Sequence, residues 1–84
     1  MARADTMSAA EIALEMKRIL SLAKEDYDEC VEACAADCDA CLDGCGPDDK
    51  KCVIKCGHDY RKCVKRCKKG NRLVLDRLDA LLGV

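Results

Sequence analysis

Eight of the nine cysteines are placed symmetrically about one short turn, and this symmetry constrains the fold more than any other feature. The turn has the sequence CGPDDKKC, residues 45–52, and its centre lies between Asp48 and Asp49. Four pairs of cysteines have position numbers that sum to 97, so the two members of each pair are equally far from that centre. The pairs are Cys45 with Cys52, Cys41 with Cys56, Cys34 with Cys63, and Cys30 with Cys67. The ninth cysteine, Cys38, has Asp59 at its mirror position.

The segment before the turn has the pattern of one long helix. Ser8 and Glu11 have the spacing of a capping box, in which each side chain accepts a hydrogen bond from the other residue's backbone amide. Beyond them no glycine or proline occurs until Gly44, and apolar and cysteine positions recur every three or four residues. We therefore predict a helix over residues 8–44, which at the helical rise would be about 55 Å long.

The segment after the turn carries a second helical stripe that ends near another glycine. Gly44 and Pro47 favour termination of the first helix, and Asp48 is placed to cap the next one. The predicted elements are a turn over residues 45–48, a helix over 49–69 and a C-terminal helix over 71–82. Gly70 is either a C-cap or a kink, so a continuous second arm and a break that creates a short third helix both remain open.

The symmetry extends beyond the cysteines to apolar side chains on both arms. Tyr27 faces Gly70, so a large side chain lies opposite a residue that has none. The other facing pairs are Ala23 with Val74, Ile19 with Leu78, and Met16 with Leu81. The sequence thus predicts one all-α domain over residues 1–84. It is an antiparallel, coiled-coil-like two-helix hairpin, stapled by disulfides near the turn and closed by an apolar seam at the far end.

The mirrored cysteines predict a specific set of four disulfides. Two cysteines four positions apart lie on one side of a helix, one turn apart, so two antiparallel helices with such motifs can be joined twice. Eight cysteines allow 105 pairings, of which the symmetry selects one. The predicted bridges are Cys30–Cys67, Cys34–Cys63, Cys41–Cys56 and Cys45–Cys52.

Metal binding is the alternative use of these sulfurs. Thiolates on facing helices can bind Cu(I), which favours soft ligands. Zinc fits less well, because the Cys-x-x-Cys spacing that is common in zinc sites occurs only once, at Cys38 and Cys41. Metal sites also need no symmetry about a turn. We therefore predict disulfides and no resident metal or cofactor.

Composition and charge fit a stapled rod. The 84 residues include two Tyr and no Phe or Trp, so we expect the hairpin to keep its shape without a core. Residues 25–45 hold eight acidic side chains and no basic one, whereas residues 50–69 hold nine basic side chains and one acidic. In a hairpin these two segments lie side by side. The net charge of −1 gives no overall field that would recruit nucleic acid or anionic lipid.

Two kinds of hydrophobic segment are not found in the sequence. No stretch is long and apolar enough to span a bilayer. The first twenty residues have no apolar region followed by a small-residue cleavage site, so we expect no secretory signal.

Paired Cys-x-x-x-Cys motifs on a helical hairpin resemble those of the twin-CX3C small Tim chaperones and of the coiled-coil-helix-coiled-coil-helix (CHCH) proteins. CHCH proteins use twin CX9C or CX10C motifs, and four cysteine pairs of this chain also enclose ten residues. They are Cys30/Cys41, Cys34/Cys45, Cys52/Cys63 and Cys56/Cys67. The likeness covers residues 30–67, and this chain departs from it in having four mirrored pairs rather than two and a ninth cysteine. The resemblance implies the mitochondrial intermembrane space, reached without a cleaved presequence and retained by oxidative folding.

The sequence offers no convincing catalytic site. His58 is the only histidine, and a Cys–His pair would lack a third orienting group and a glycine-rich oxyanion loop. We therefore expect a non-catalytic structural subunit that accompanies or assembles a larger mitochondrial complex. The resemblance makes respiratory-chain complexes, and so a membrane-associated assembly, the natural candidates. We expect protein partners and no nucleic acid, with Leu75 and Leu82 as candidate partner contacts because they lie outside the apolar seam.

Three other functions remain open. A small-Tim-like chaperone for hydrophobic precursors would form a ring homo-oligomer, a Cu(I)-binding protein would keep its thiols reduced, and a toxin or inhibitor would be secreted, as the twin-CX3C plant α-hairpinins are. Cys38 is simplest as a buried free thiol. An intermolecular disulfide and ligation together with His58 or Asp59 are its alternatives.

Overall fold

Four helices make up the described part of the chain, which in this computed structural model comprises residues 6–24, 28–67 and 72–83. No strand occurs within those ranges. The helices are α1 (Ala9–Lys24), α2 (Glu29–Asp43), α3 (Lys50–Arg66) and α4 (Arg72–Leu82). Helix α1 contacts each of the other three, α2 contacts α3, and α3 contacts α4. The predicted all-α class and the disulfide-stapled hairpin of α2 and α3 are confirmed.

Side-chain caps define both arms of this hairpin. Asp28 precedes α2 with an extended backbone, and its carboxylate accepts a hydrogen bond from the Cys30 amide at 3.0 Å. Asp49 precedes α3 in the same role and accepts from the Cys52 amide at 3.1 Å. The prediction that Asp48 caps the second arm is therefore wrong by one residue. Each cap satisfies an amide that the helix itself leaves unpaired.

The predicted continuous helix over residues 8–44 is wrong, although its start is correct. The Ser8 amide donates to the Glu11 carboxylate and the Glu11 amide donates to the Ser8 hydroxyl, both at 3.2 Å, which confirms the capping box. Helix α1 ends at Lys24 and Asp28 caps a separate helix, so the molecule measures 33 × 26 × 19 Å rather than about 55 Å in length.

The return of α1 onto the other helices has a packing reason. A straight arm would bury one stripe of α1 against a single partner. Folded back, α1 packs on three helices, and Leu20 is buried in addition to the predicted stripe. Greater burial of apolar area stabilises the bent arrangement over the rod. The predicted contact of Tyr27 with Gly70 lies outside the described residues.

The second arm is broken rather than continuous. Helix α3 ends at Arg66, and Cys67 adopts an extended conformation with φ −69° and ψ 135°. Helix α4 then begins at Arg72, close to the predicted start of the C-terminal helix. The predicted helix over 49–69 is therefore too long. Gly70 itself lies outside the described residues.

A core fills the space between the helices, so the expectation of a rod without a core is also wrong. Tyr60, Ile12, Met16 and Leu78 are among its largest fully buried side chains. All six aliphatic and methionine residues of the predicted facing pairs are buried. Cysteines substitute for large aromatic side chains in this core, since Cys34, Cys38, Cys56 and Cys67 belong to the same buried cluster.

Gly57 permits a close approach in the middle of α3. A Cβ atom built at this glycine would lie 3.1 Å from a methyl carbon of Leu82 and 3.4 Å from the sulfur of Met16. The absence of a side chain therefore lets α1 and α4 pack against this face of α3. The same missing side chain lowers the helix propensity of this position by up to about 1 kcal/mol relative to alanine.

Candidate functional site

A ladder of four disulfides joins the two arms of the hairpin, in the predicted pairing. The Cα–Cα distances across the bridges are 5.7 or 5.8 Å, within the usual range for a disulfide. The bridges, from the open end of the hairpin to the turn, are Cys30–Cys67, Cys34–Cys63, Cys41–Cys56 and Cys45–Cys52. All four predictions are confirmed. The arrangement follows from two helices whose cysteines recur on facing sides.

Neighbouring bridges bring sulfur atoms from different pairs close together. The Sγ atoms of Cys34 and Cys67 lie 4.0 Å apart, and those of Cys45 and Cys56 lie 3.7 Å apart. Two groups of three sulfurs have the proximity needed to hold a metal ion: Cys30, Cys34 and Cys67, and Cys45, Cys52 and Cys56. Each of these sulfurs is in a disulfide, and a thiolate is the form that binds metal. The groups become ligand sets only in the reduced protein.

Cys38 is the free cysteine, as predicted, and it is buried. Its thiol donates to the backbone oxygen of Cys56 across a sulfur–oxygen distance of 3.7 Å. Burial, followed by the nearby carboxylates of Asp39 and Asp59, raises the pKa of the Cys38 thiol to about 12. The thiol is therefore neutral at physiological pH and has little thiolate with which to react.

This geometry does not favour the two alternatives for Cys38, an intermolecular disulfide and ligation together with His58 or Asp59. Burial leaves the thiol poorly placed for an intermolecular disulfide. Within the described ranges, the groups of potential metal-ligating side chains include neither Cys38 nor His58. His58 is half-buried on α3.

A cleft opens in the middle of the ladder, where Cys38 has Asp59 rather than a cysteine at its mirror position and so forms no bridge. It has a volume of about 210 Å³. Its lining comprises the two middle bridges together with Asp37, Cys38, Asp59 and Tyr60. We call this the central cleft. Asp37 and Asp59 are exposed to solvent, whereas Cys38 and Tyr60 are buried.

Tyr60, like Asp37, is a residue of this cleft that the sequence pattern did not single out. The side chain is 1% exposed, and its hydroxyl finds no hydrogen-bond partner among the described residues. Burial, followed by the neighbouring Cys38, raises the pKa of the phenol above its usual value. The sequence places Tyr60 on the helical stripe beside Asp59, which is a signal for burial. Periodicity does not show that its hydroxyl lacks a hydrogen-bond partner.

The acidic and basic segments lie on separate helices, and within the described residues each forms an ion pair with an outer helix rather than with the other segment. Arg61 on α3 pairs with Asp79 on α4, and Lys17 on α1 lies 3.9 Å from Asp43 on α2. The Lys17–Asp43 pair is exposed and contributes about 0–1 kcal/mol, so it orients α1 only weakly. The Arg61–Asp79 pair is partly buried.

The candidate partner residues on α4 are mostly packed against the bundle. Leu75 is partly buried against the core, and Leu82 approaches Gly57. The exposed large apolar side chains of the described residues are Leu14 on α1, at 54%, and Leu73 on α4, at 52%. Partner contact through Leu75 and Leu82 stays a prediction.

None of the helices in the described ranges combines the length and apolar content needed to cross a bilayer. The sequence matches no family model, and neither the curated proteins nor the solved structures compared with it include a significant match.

Proposed function

We propose that this protein is a non-catalytic structural subunit that binds protein partners as an accessory or assembly part of a larger complex. The observation that supports this most is the disulfide ladder. Four bridges restrict the unfolded chain and so fix the shape of α2 and α3 before any partner binds. A pre-ordered surface loses less conformational entropy on association than a flexible one.

Disulfide chemistry and resemblance together suggest where to look for the complex. Disulfides form and persist in oxidising compartments. The resemblance to CHCH and twin-CX3C proteins makes the mitochondrial intermembrane space the first compartment to test and a respiratory-chain complex the first assembly. Secretion is the alternative that the same chemistry allows.

Helix α4 offers the candidate docking side chains. Leu73 is half-exposed on this helix, which also carries the predicted contacts Leu75 and Leu82. A photo-crosslinking residue at position 73 should therefore report a partner. The same residue at exposed Lys62 on α3 is the matched control, since that position lies within the solvated basic segment.

The experiment combines redox state, assembly size and crosslinking in cells of the source organism. We expect one alkylatable thiol, migration in an assembly far larger than the 9.2 kDa chain, and a crosslink from position 73 that exceeds the one from position 62. A free monomer would contradict the proposal. A ring composed only of this chain would favour the chaperone alternative, and nine reduced thiols would contradict the ladder in cells.

Copper handling is a second candidate, and one observation favours it. The close approach of sulfurs from neighbouring bridges would give two thiolate groups after reduction. Soft thiolates favour Cu(I). Titration of Cu(I) against a chromogenic chelator, with reduced and oxidised protein in parallel, tests this function. Binding by the reduced form that is strong enough to compete, together with reduced thiols in cells, would support it.

A further inference from the structure

The ladder has an unbridged position at its centre, and the chemistry of that position differs from the rest. Cys38 has Asp59 as its mirror residue, so no disulfide spans the hairpin there. The central cleft occupies this gap between the two middle bridges. Its volume of about 210 Å³ corresponds to roughly seven molecules of liquid water. The cleft can therefore hold a small organic group.

An unsatisfied hydroxyl lies in the interior beside this cleft. Tyr60 lines the cleft, is 1% exposed, and has no hydrogen-bond partner for its hydroxyl among the described residues. A buried hydroxyl without a partner is unfavourable. A ligand with N–H groups would satisfy it after a small shift of the side chains that now cover the hydroxyl, because a phenol oxygen accepts as well as donates hydrogen bonds.

The charge in the cleft is negative. Asp37 and Asp59 line it, and neither forms an ion pair in the described part of the chain. The thiol of Cys38 stays neutral, since burial and nearby carboxylates raise its pKa to about 12. The ionised groups are thus the two carboxylates, which attract a cation. A bare metal ion fits poorly, because the metal-ligating groups found among the described residues do not include these side chains.

We propose that the central cleft binds a guanidinium or primary ammonium group, with its charge between Asp37 and Asp59 and an N–H directed to the Tyr60 hydroxyl. A guanidinium group presents several N–H donors in one plane, which suits a site with two carboxylates and a phenol. The group comes either from a small free cation or from an arginine or lysine side chain of a protein. The inference does not depend on the proposed structural role.

Amide NMR titration of the oxidised, ¹⁵N-labelled protein tests this binding. The probes are ethylguanidinium chloride and the peptide acetyl-Gly-Arg-Gly-amide. Sodium chloride and the corresponding citrulline peptide are the controls for ionic strength and for shape without charge. We expect saturable shifts centred on residues 37–41 and 56–60 at millimolar probe concentrations. Arginine-peptide binding about tenfold tighter than ethylguanidinium binding would identify a protein side chain as the source, and equal binding a free cation.

Substitutions separate a built site from general attraction to acidic side chains. Asp59→Asn and Tyr60→Phe should each weaken binding by about threefold or more. Glu32→Gln is the matched control, because Glu32 is an exposed α2 carboxylate that lies outside the cleft lining, and it should leave affinity unchanged. Intact mass confirms four disulfides in each variant. The proposal is overturned if neither probe gives saturable shifts up to about 100 mM, or if Glu32→Gln weakens binding as much as Asp59→Asn.

Discussion

The two halves of this bundle are held together by different physical means. Helices α2 and α3 are joined by four covalent bridges, and many of the side chains between them are cysteines. Helices α1 and α4 have no cysteine, and their contact depends on buried Ile12, Met16, Leu78 and their neighbours. One half is stabilised chiefly by restriction of the unfolded chain, and the other by removal of apolar area from water.

The difference between covalent bridges and apolar burial accounts for the composition of each half. Bridged helices tolerate many small and charged residues, and α2 has alanine and acidic residues at most of its exposed positions. The outer helices have no covalent link, so they carry most of the leucine, isoleucine and methionine. We therefore expect the outer half to open first, while the hairpin keeps its structure. Four predictions test this contrast.

Reduction of all four disulfides should have the largest effect on stability, because it removes the covalent links between α2 and α3. The bridges span sequence separations of 7, 15, 29 and 37 residues. Nested loops contribute less than their sum, but we expect a loss of more than about 5 kcal/mol in the free energy of unfolding. Urea unfolding followed by circular dichroism, with and without a phosphine reductant, measures it. An unchanged urea midpoint would refute the importance of the ladder.

Truncation of the outer core should come next. Ile12→Ala removes a fully buried side chain from α1 and should cost about 2–4 kcal/mol. Amides of α1 and α4 should lose hydrogen-exchange protection, whereas those of α2 and α3 keep it. Leu14→Ala, at an exposed position of the same helix, is the control and should cost less than about 0.5 kcal/mol. Equal loss of protection in both halves would mean that they unfold as one unit.

High pH should weaken the hairpin through Cys38. The thiol has a pKa of about 12 in the folded protein against 9.0 for the free group, so the unfolded chain loses its proton first. The contribution of the neutral thiol to the free energy of unfolding is complete below pH 9. It declines as pH rises towards 12, by at most about 1.4 kcal/mol per pH unit. Urea unfolding between pH 8 and about pH 10 measures the slope. Cys38→Ala should reduce it, and an identical slope in this variant would assign the effect to other groups.

The smallest expected effect is at the contact between the two halves. Gly57→Ala gains helix propensity of up to about 1 kcal/mol but places a Cβ near the Leu82 methyl group, which is the movable end of a side chain. We expect a net change within about 0.5 kcal/mol. Gly57→Leu cannot be accommodated in this way and should expose α1 and α4 to hydrogen exchange. If Gly57→Leu proves neutral in thermal unfolding, the close approach is not needed for packing.

Most of the ladder was predictable because its information is local and discrete. The positions of eight cysteines fix which side chains can meet on two antiparallel helices. The capping box joins Ser8 to Glu11 across only three peptide bonds, so it too can be recognised from the sequence. The central cleft was only half predictable. Symmetry identifies Cys38 and Asp59 as an unbridged position, whereas the burial of Tyr60 and its unmet hydrogen bond depend on how four helices pack.

Helical periodicity and mirror spacing were enough to predict the all-α class, the turn and the disulfide pairing, because they leave one arrangement of the cysteines on two antiparallel helices. The division of the first arm near Asp28 and the return of α1 onto the other helices depend on tertiary packing. A periodic apolar stripe specifies that a helix must be covered, but not which neighbours cover it. That choice depends on the total apolar area removed from water, which is a property of the whole bundle.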